Sequence, residues 1–241
     1  MSFITWTPTA LASEARFWTG ASWRVVETQQ VAATMRLVDT LTEQTVLEKL
    51  LEESKPPLPP ECQDLHYLLA TPFRYPPLPQ GSRFRAATDP GVFYGAAALA
   101  TAAAELSYWR WRFLRSASDL DHLEPMVHTA FRSELAALAI DLQRPPLAED
   151  AAFWTHPDDY RSTQALAREA HAADIGIIRY RSVRDPDGGE CHAVLHCGAF
   201  ARPSMLAEQQ NWVVGVRRDS VIWRREQRLA DIALVFSAEN W

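Results

Sequence analysis

Apolar residues recur at helical spacing early in the chain. Val31, Met35, Val38 and Leu41 fall three or four positions apart, and Leu47, Leu50 and Leu51 continue the stripe. The pattern predicts helix from Thr9 to roughly Ser54. Lys55-Pro56-Pro57-Leu58-Pro59-Pro60 stops it, because proline lacks an amide donor and keeps its predecessor out of the helical region. The chain therefore divides into a helical N-terminal extension, residues 1–64, and a main domain, residues 65–241.

In the main domain the short segment Leu65–Ala70 leads into Thr71-Pro72-Phe73-Arg74-Tyr75-Pro76-Pro77, whose prolines predict extended loop through Arg83-Phe84-Arg85. After the turn Asp89-Pro90-Gly91, Val92-Phe93-Tyr94 predicts a strand and Ala96–Leu114 a helix. Leu120–Ala173 reads as helical pieces broken at Pro145-Pro146 and His156-Pro157. Ile175–Val183 is rich in β-branched residues. It is followed by the turn Asp185-Pro186-Asp187-Gly188-Gly189 and the apolar run Ala193–Leu195, which together predict a hairpin. Trp212–Val216 and Val221–Trp223 predict a second one. These elements amount to an α+β domain with a small mixed or antiparallel sheet and surrounding helices, and no repeat of fixed period runs through it.

Composition narrows the class. Hydrophobic residues make up 47% and charged residues 22%, as in an ordinary globular protein, and runs such as Gly95–Ala104 are too short to span a bilayer. Met1–Arg16 lacks the basic start and apolar block of a signal peptide. Three cysteines, Cys62, Cys191 and Cys197, are an odd number in a chain too large to need staples, so free thiols in a reducing compartment are expected. The expectation is a soluble cytoplasmic protein. A net charge of −6 argues against direct nucleic-acid binding. Of the 24 basic side chains only Lys49 and Lys55 are lysines. Arginine-rich codon usage accounts for that bias, so individual arginines must be argued by position.

No Gly-rich dinucleotide fingerprint, phosphate loop, HExxH helix, CxxC pair or nucleophile elbow occurs in the sequence. Any nucleotide site must then rest on side chains and loops. Cys191-His192-Ala193-Val194-Leu195-His196-Cys197 suggests a metal, but on a strand His192 and His196 lie about 13 Å apart at ~3.3 Å per residue, too far for one tetrahedral ion. The segment is expected to be a metal-free strand.

Glu105 sits inside the alanine-rich helix, and none of its helical neighbours Thr101, Ala102, Tyr108 and Trp109 is a cation. Its carboxylate is either solvated or aimed at something outside its helix. By strand alternation Ile178, Tyr180 and Ser182 share a face, which makes Ser182 either a hydroxyl serving a cleft or a residue that merely ends a strand. Arg83 and Arg85 flank Phe84 just upstream of Tyr94. Gathered in one cleft, such arginines, aromatics, a glutamate and a serine would suit NAD+. Arginine grips pyrophosphate, a ring stacks on nicotinamide, and a carboxylate stabilises the cation that develops at the ribose.

Phe73-Arg74-Tyr75, Gly81-Ser82-Arg83-Phe84-Arg85, Gly91-Val92-Phe93-Tyr94-Gly95-Ala96, Thr101–Glu105 and Arg179-Tyr180-Arg181-Ser182-Val183-Arg184-Asp185 resemble successive blocks of the RES domain, a family named for its Arg, Glu and Ser. The similarity runs from about Leu65 to Trp223, and the helical segment before it resembles the extension of longer members. The resemblance implies a fold similar to ADP-ribosyltransferases. It also implies a toxin of a bacterial type II toxin–antitoxin system that depletes NAD+ by hydrolysis or phosphorolysis, needs no metal, and is neutralised by an antitoxin carrying an Xre-type helix-turn-helix. Transfer of ADP-ribose to a protein, or an inactive partner-binding module, are the alternatives, and homo-oligomerisation stays open. Matched by position, the family arginine falls on Arg83, its tyrosine on Tyr94, its acid on Glu105 and its serine on Ser182. The roles so implied are Arg83 on pyrophosphate, Tyr94 against nicotinamide, Glu105 on ribose and Ser182 orienting the substrate. The common Gly-Arg-Trp-Asn block is here Ser82-Arg83-Phe84-Arg85, which leaves open whether Arg85 shares or takes the arginine's role.

The metal-free reading of residues 191–197 has a direct test. Elemental analysis of the purified protein should find no stoichiometric zinc, and zinc that is present and disappears in His192→Ala would overturn it.

Overall fold

The computed structural model describes residues 5–28, 38–77, 79–226 and 233–241. Among them run eight strands: β1 (Arg16–Glu27), β2 (Phe93–Ala96), β3 (His122–Asp141), β4 (Ile177–Arg181), β5 (Glu190–Val194), β6 (Glu208–Arg217), β7 (Ser220–Arg225) and β8 (Ala233–Ser237). The helices are α1 (Pro8–Glu14), α2 (Leu41–Ser54), α3 (Tyr67–Arg74), α4 (Leu99–Ser116), α5 (Ala151–Trp154) and α6 (Arg161–Ala172), with short 3-10 turns between. The class is α+β, as expected, but the sheet is not small.

All eight strands form one mixed sheet in the order β1-β2-β5-β4-β3-β6-β7-β8, and β1 also pairs with β3. The ring β1-β2-β5-β4-β3 is thus closed on itself, which removes two edges that would otherwise invite pairing with another chain. The pairing of β3 with β4 is parallel; the rest are antiparallel.

Two expectations fail here. Arg16–Glu27 lies in the stretch predicted as helix, yet it pairs with β3 without interruption from Arg16↔Ala139 to Glu27↔His128. The helical stripe belongs to the later residues, where α2 begins with a capping box between Thr40 and Glu43. Val31 and Met35, part of that stripe, lie outside the described residues. The second failure is β3 itself, whose Ala-rich half was expected to be helical. Trp18↔Ala137 and Thr19↔Ala136 sit directly opposite one another, so small side chains on β3 make room for large ones on β1. Tertiary pairing overrides local helix propensity. The two hairpins form as expected, β4 with β5 and β6 with β7.

Alternate residues of β4 and β5 divide two cores between the sheet faces. Ile178, Tyr180, Cys191 and Ala193 join one, with α4 and α6; Ile177 and Val194 join the other. The N-terminal segment is packed into the domain: α1 lies on α6, and Trp6 Nε1 donates to Asp150 at 2.8 Å. Cys62 and Cys197 are joined in a disulfide with Cα atoms 5.4 Å apart, contrary to the expectation of free thiols, while Cys191 is free and buried. No helix among the described residues is long and apolar enough to cross a membrane.

β1 and β2 come close together at Gly95. A Cβ there would fall on Ser22 Oγ and lie 2.8 Å from the Trp23 carbonyl, so only glycine lets the two backbones meet. Gly95→Ala should lower stability by ~1–3 kcal/mol, the usual cost of overpacking, read as a fall in the urea midpoint; an unchanged midpoint would mean that β1 is not held this way.

Candidate active site

A cleft of about 780 Å³ opens on the α4 face of the sheet, within the size range of small-molecule sites. Its walls come from distant parts of the sequence: Trp23 and Arg24 of β1, Tyr94 of β2, Glu105 of α4, the loop at 158–160, and Arg83.

Glu105 reaches the cleft because α4 packs closely through the buried residues Thr101, Ala102, Ala103 and Ala104, which keep the next turn of helix against the sheet. Gly189 allows the β4–β5 turn to close on Thr101, where a Cβ would collide with the Thr101 hydroxyl. That brings Ser182 Oγ within 2.6 Å of Glu105 Oε1, donating to it. The same hydroxyl accepts from the backbone N–H groups of Arg184 (3.1 Å) and Asp185 (3.0 Å). Ser182 is only 3% exposed and does not line the cleft. Ser182 thus meets Glu105 and not the open cleft.

Burial raises the Glu105 carboxyl above the ordinary glutamate value. The Ser182 hydrogen bond and the Arg83 and Arg184 charges oppose the rise, and Asp185 adds to it. Arg83, 8% exposed, is fixed by donation from Nη1 to the carbonyls of Trp154 (2.9 Å) and His156 (3.0 Å), and its guanidinium stacks 4.8 Å from the Tyr160 ring centroid. The Tyr94 hydroxyl accepts from Phe84 N–H at 2.9 Å and meets Ser82 Oγ at 2.8 Å. Burial pushes that phenol up to about 12, although these bonds and the Arg83 and Arg85 charges act the other way, so it stays neutral. Arg85 does not line the cleft. It donates to the carbonyls of Asp89 (3.2 Å) and Tyr75 (2.9 Å). Arg83, Tyr94 and Glu105 therefore meet in one cleft, Ser182 stands behind Glu105, and Arg85 lies outside.

His192, on the opposite face, belongs to a polar chain. Its Nε2–H donates to Glu190 at 3.0 Å and its Nδ1 faces Ser22 Oγ at 3.0 Å, with both Ser22 and His192 fully buried. No group of three or more potential metal ligands exists among the described residues. Sequence reasoning missed Arg24, Trp23 and Tyr160. The first two were hidden by the helical assignment of their segment, and Tyr160 had no signal beyond being an aromatic near an N-terminus.

The RES domain matches residues 58–214. The chain belongs to the RES domain family. No curated protein matches this chain. Among solved structures, it is similar to a chain in the crystal structure of the M.tuberculosis MbcT-MbcA toxin-antitoxin complex, at 11% identity and a TM-score of 0.49, over 82% of this chain and 86% of that one. The RES match starts after β1, so Trp23 and Arg24 reach the cleft from outside the matched residues.

The Glu105 geometry sets a pH dependence. A carboxylate acts only when ionised, so activity should fall with decreasing pH along a limb lying above the ordinary glutamate value. Ser182→Ala removes a hydrogen bond to the charged form and should move that limb further up. A pH–rate profile of kcat/KM in both proteins checks this, and superimposable limbs would detach Ser182 from Glu105.

Proposed function

We propose that this RES protein is a toxin that consumes NAD+ by breaking the nicotinamide–ribose bond. The observation that carries the reading is Glu105, a carboxylate fixed by Ser182 at 2.6 Å on the wall of a cleft shared with Arg83 and Tyr94. In this reading Arg83 holds the pyrophosphate, its position set by the Trp154 and His156 carbonyls. Tyr94, with its hydroxyl tied into the 82–84 loop, offers its ring to the nicotinamide.

The C–N bond breaks with its electron pair leaving on nicotinamide, which departs neutral. Positive charge passes to the ribose, and Glu105 stabilises the resulting oxocarbenium-like state across a partly desolvated site. An oxygen of water or phosphate then bonds to the anomeric carbon, and where water is the acceptor its proton is released to solvent. The family resemblance adds a partner, an antitoxin with an Xre-type helix-turn-helix that neutralises the toxin, and a site of action in the cytoplasm.

Incubation of the purified protein with NAD+ should release free nicotinamide. Label from the adenylate portion should stay in small molecules; label retained on a protein would instead indicate ADP-ribose transfer, and no nicotinamide at all would leave a binding module. Glu105→Gln preserves an acceptor for Ser182 but removes the charge, so turnover should drop by something like 10²–10³ with little change in stability or substrate binding. Parental turnover in that variant would exclude Glu105 as the catalytic carboxylate.

A further inference from the structure

Eight of the nine tryptophans are accounted for by the fold, since each joins or packs against one of the two hydrophobic cores. Six of those also donate the indole N–H to an internal acceptor, as Trp223 does to Ser107 Oγ at 2.9 Å and Trp241 to the Arg184 carbonyl at 2.7 Å. Trp109 does neither. It is 47% exposed, belongs to neither core, and its indole N–H has no acceptor among the described residues.

An exposed ring by itself means little, but this one lines the cleft. Ala102, Glu105, Leu106, Trp109 and Arg112 of α4 all border it, at helical spacing, so one stripe of the helix forms that wall. Trp109 stands one turn beyond Glu105, about 6 Å along the axis at 1.5 Å per residue. Exposure rises in that direction, from half-buried Glu105 to Trp109, so the helix runs outward from the carboxylate to the mouth of the cleft. The indole is also held in place. The Arg112 guanidinium lies 5.5 Å from its ring centroid and is itself anchored by donation to the Tyr108 hydroxyl at 3.1 Å and to Asp158 at 3.2 Å. The Tyr108 ring meets it in a T-shaped contact at 5.1 Å. An aromatic ring positioned in advance, with the rest of its surface open, is what a planar base stacks on. Phe113, one turn further along and 59% exposed, does not line the cleft.

We propose that Trp109 stacks the adenine ring of the dinucleotide at the mouth of the cleft. The inference rests on the reading of the cleft as an NAD+ site and assigns the half of the substrate that the reaction leaves intact. With Glu105 on the ribose whose bond breaks, nicotinamide lies one bond from the reacting carbon, on the Tyr94 side, and the second ring lies beyond the diphosphate. The wall one turn outward from Glu105 is where that second ring falls. Stacking there acts on binding more than on the chemical step, because adenine is remote from the anomeric carbon.

The test uses the full chain and two probes, ADP and nicotinamide mononucleotide, which carry the two rings separately. Calorimetry should show that the parental protein binds ADP and that Trp109→Ala binds it about 5–150-fold more weakly, the usual loss for one base–aromatic stack. Trp109→Phe keeps a ring and should lose less, and Phe113→Ala should bind ADP as the parental protein does. Affinity for nicotinamide mononucleotide should be the same in Trp109→Ala as in the parental protein. ADP should also quench tryptophan emission, and the quench should shrink in Trp109→Phe; this measurement carries the test should Trp109→Ala fail to fold. With NAD+, Trp109→Ala should raise KM more than it lowers kcat. Undiminished ADP binding in Trp109→Ala, an equal loss in Phe113→Ala, an unchanged quench in Trp109→Phe, a loss for nicotinamide mononucleotide as large as that for ADP, or a parental protein that binds no ADP would each overturn the proposal. Trp109-dependent ADP binding in a protein that releases no nicotinamide would refute NAD+ cleavage while leaving the base platform standing.

Discussion

The antiparallel pairing of β1 with β3 is the constraint on which the remainder of the structure depends. Over the twelve residues of β1 every position has a partner on β3, a strand of twenty residues. Along its other edge β3 takes β6 over its first half and β4 at its end. One strand thereby joins the closed ring to the β6-β7-β8 extension. Because β1 also touches β2 at Trp23↔Ala96, the long pairing fixes where Arg24 stands relative to Tyr94, a contact spanning 70 positions of sequence. Site geometry here follows from strand register, which a one-residue slip would invert by turning each side chain to the other face.

Within that frame the cleft holds an electrostatic compromise. Burial alone favours the neutral form of Glu105, whereas stabilising a developing cation requires the charged form. Ser182 and the nearby arginines Arg83 and Arg184 move the balance back toward ionisation. Ser182 can do this because two backbone N–H groups occupy its lone pairs and aim its hydrogen at the carboxylate. The serine acts on the acid from behind, so its effect reaches the substrate only through Glu105.

Much of this was legible in the sequence, and the illegible part has a common cause. The β4–β5 hairpin announced itself through β-branched residues and a turn whose Gly188 takes a positive φ of 66°. The helix bearing Glu105 was equally plain from its alanines, and the block pattern around Arg83, Tyr94 and Glu105 named residues that do share a cleft. What failed was non-local. Arg16–Glu27 and His122–Asp141 are strands because of each other, and neither carries a clean period of two. Once β1 is misread as helix, Arg24 has no reason to be near Tyr94, so the contact between them could not be found. The Cys62–Cys197 pairing was hidden for the same reason, as the two residues are 135 positions apart.

The polar chain on the opposite face shows why residue types alone do not define chemistry. Ser22, His192 and Glu190 are linked in the order nucleophile, imidazole, carboxylate, with both links at 3.0 Å. Arg179 continues the chain, donating to Glu190 at 2.7 Å and pairing with Asp141 at 3.1 Å. Burial would raise the Glu190 carboxyl, but the hydrogen bonds from His192 and Arg179 outweigh it and hold the group at about 2. A base partnered in this way could activate a hydroxyl, but Ser22 and His192 are wholly enclosed beneath Trp18 and β2, with no room for a substrate carbon beside the oxygen. The chain instead ties β1, β4 and β5 together across the ring. Glu105 is the weaker-looking candidate by composition, a lone carboxylate on an alanine helix, yet it faces open volume and has its charge supported from behind. Access to the cleft, more than the inventory of groups, separates the residue placed to act on a ligand from those that hold the sheet.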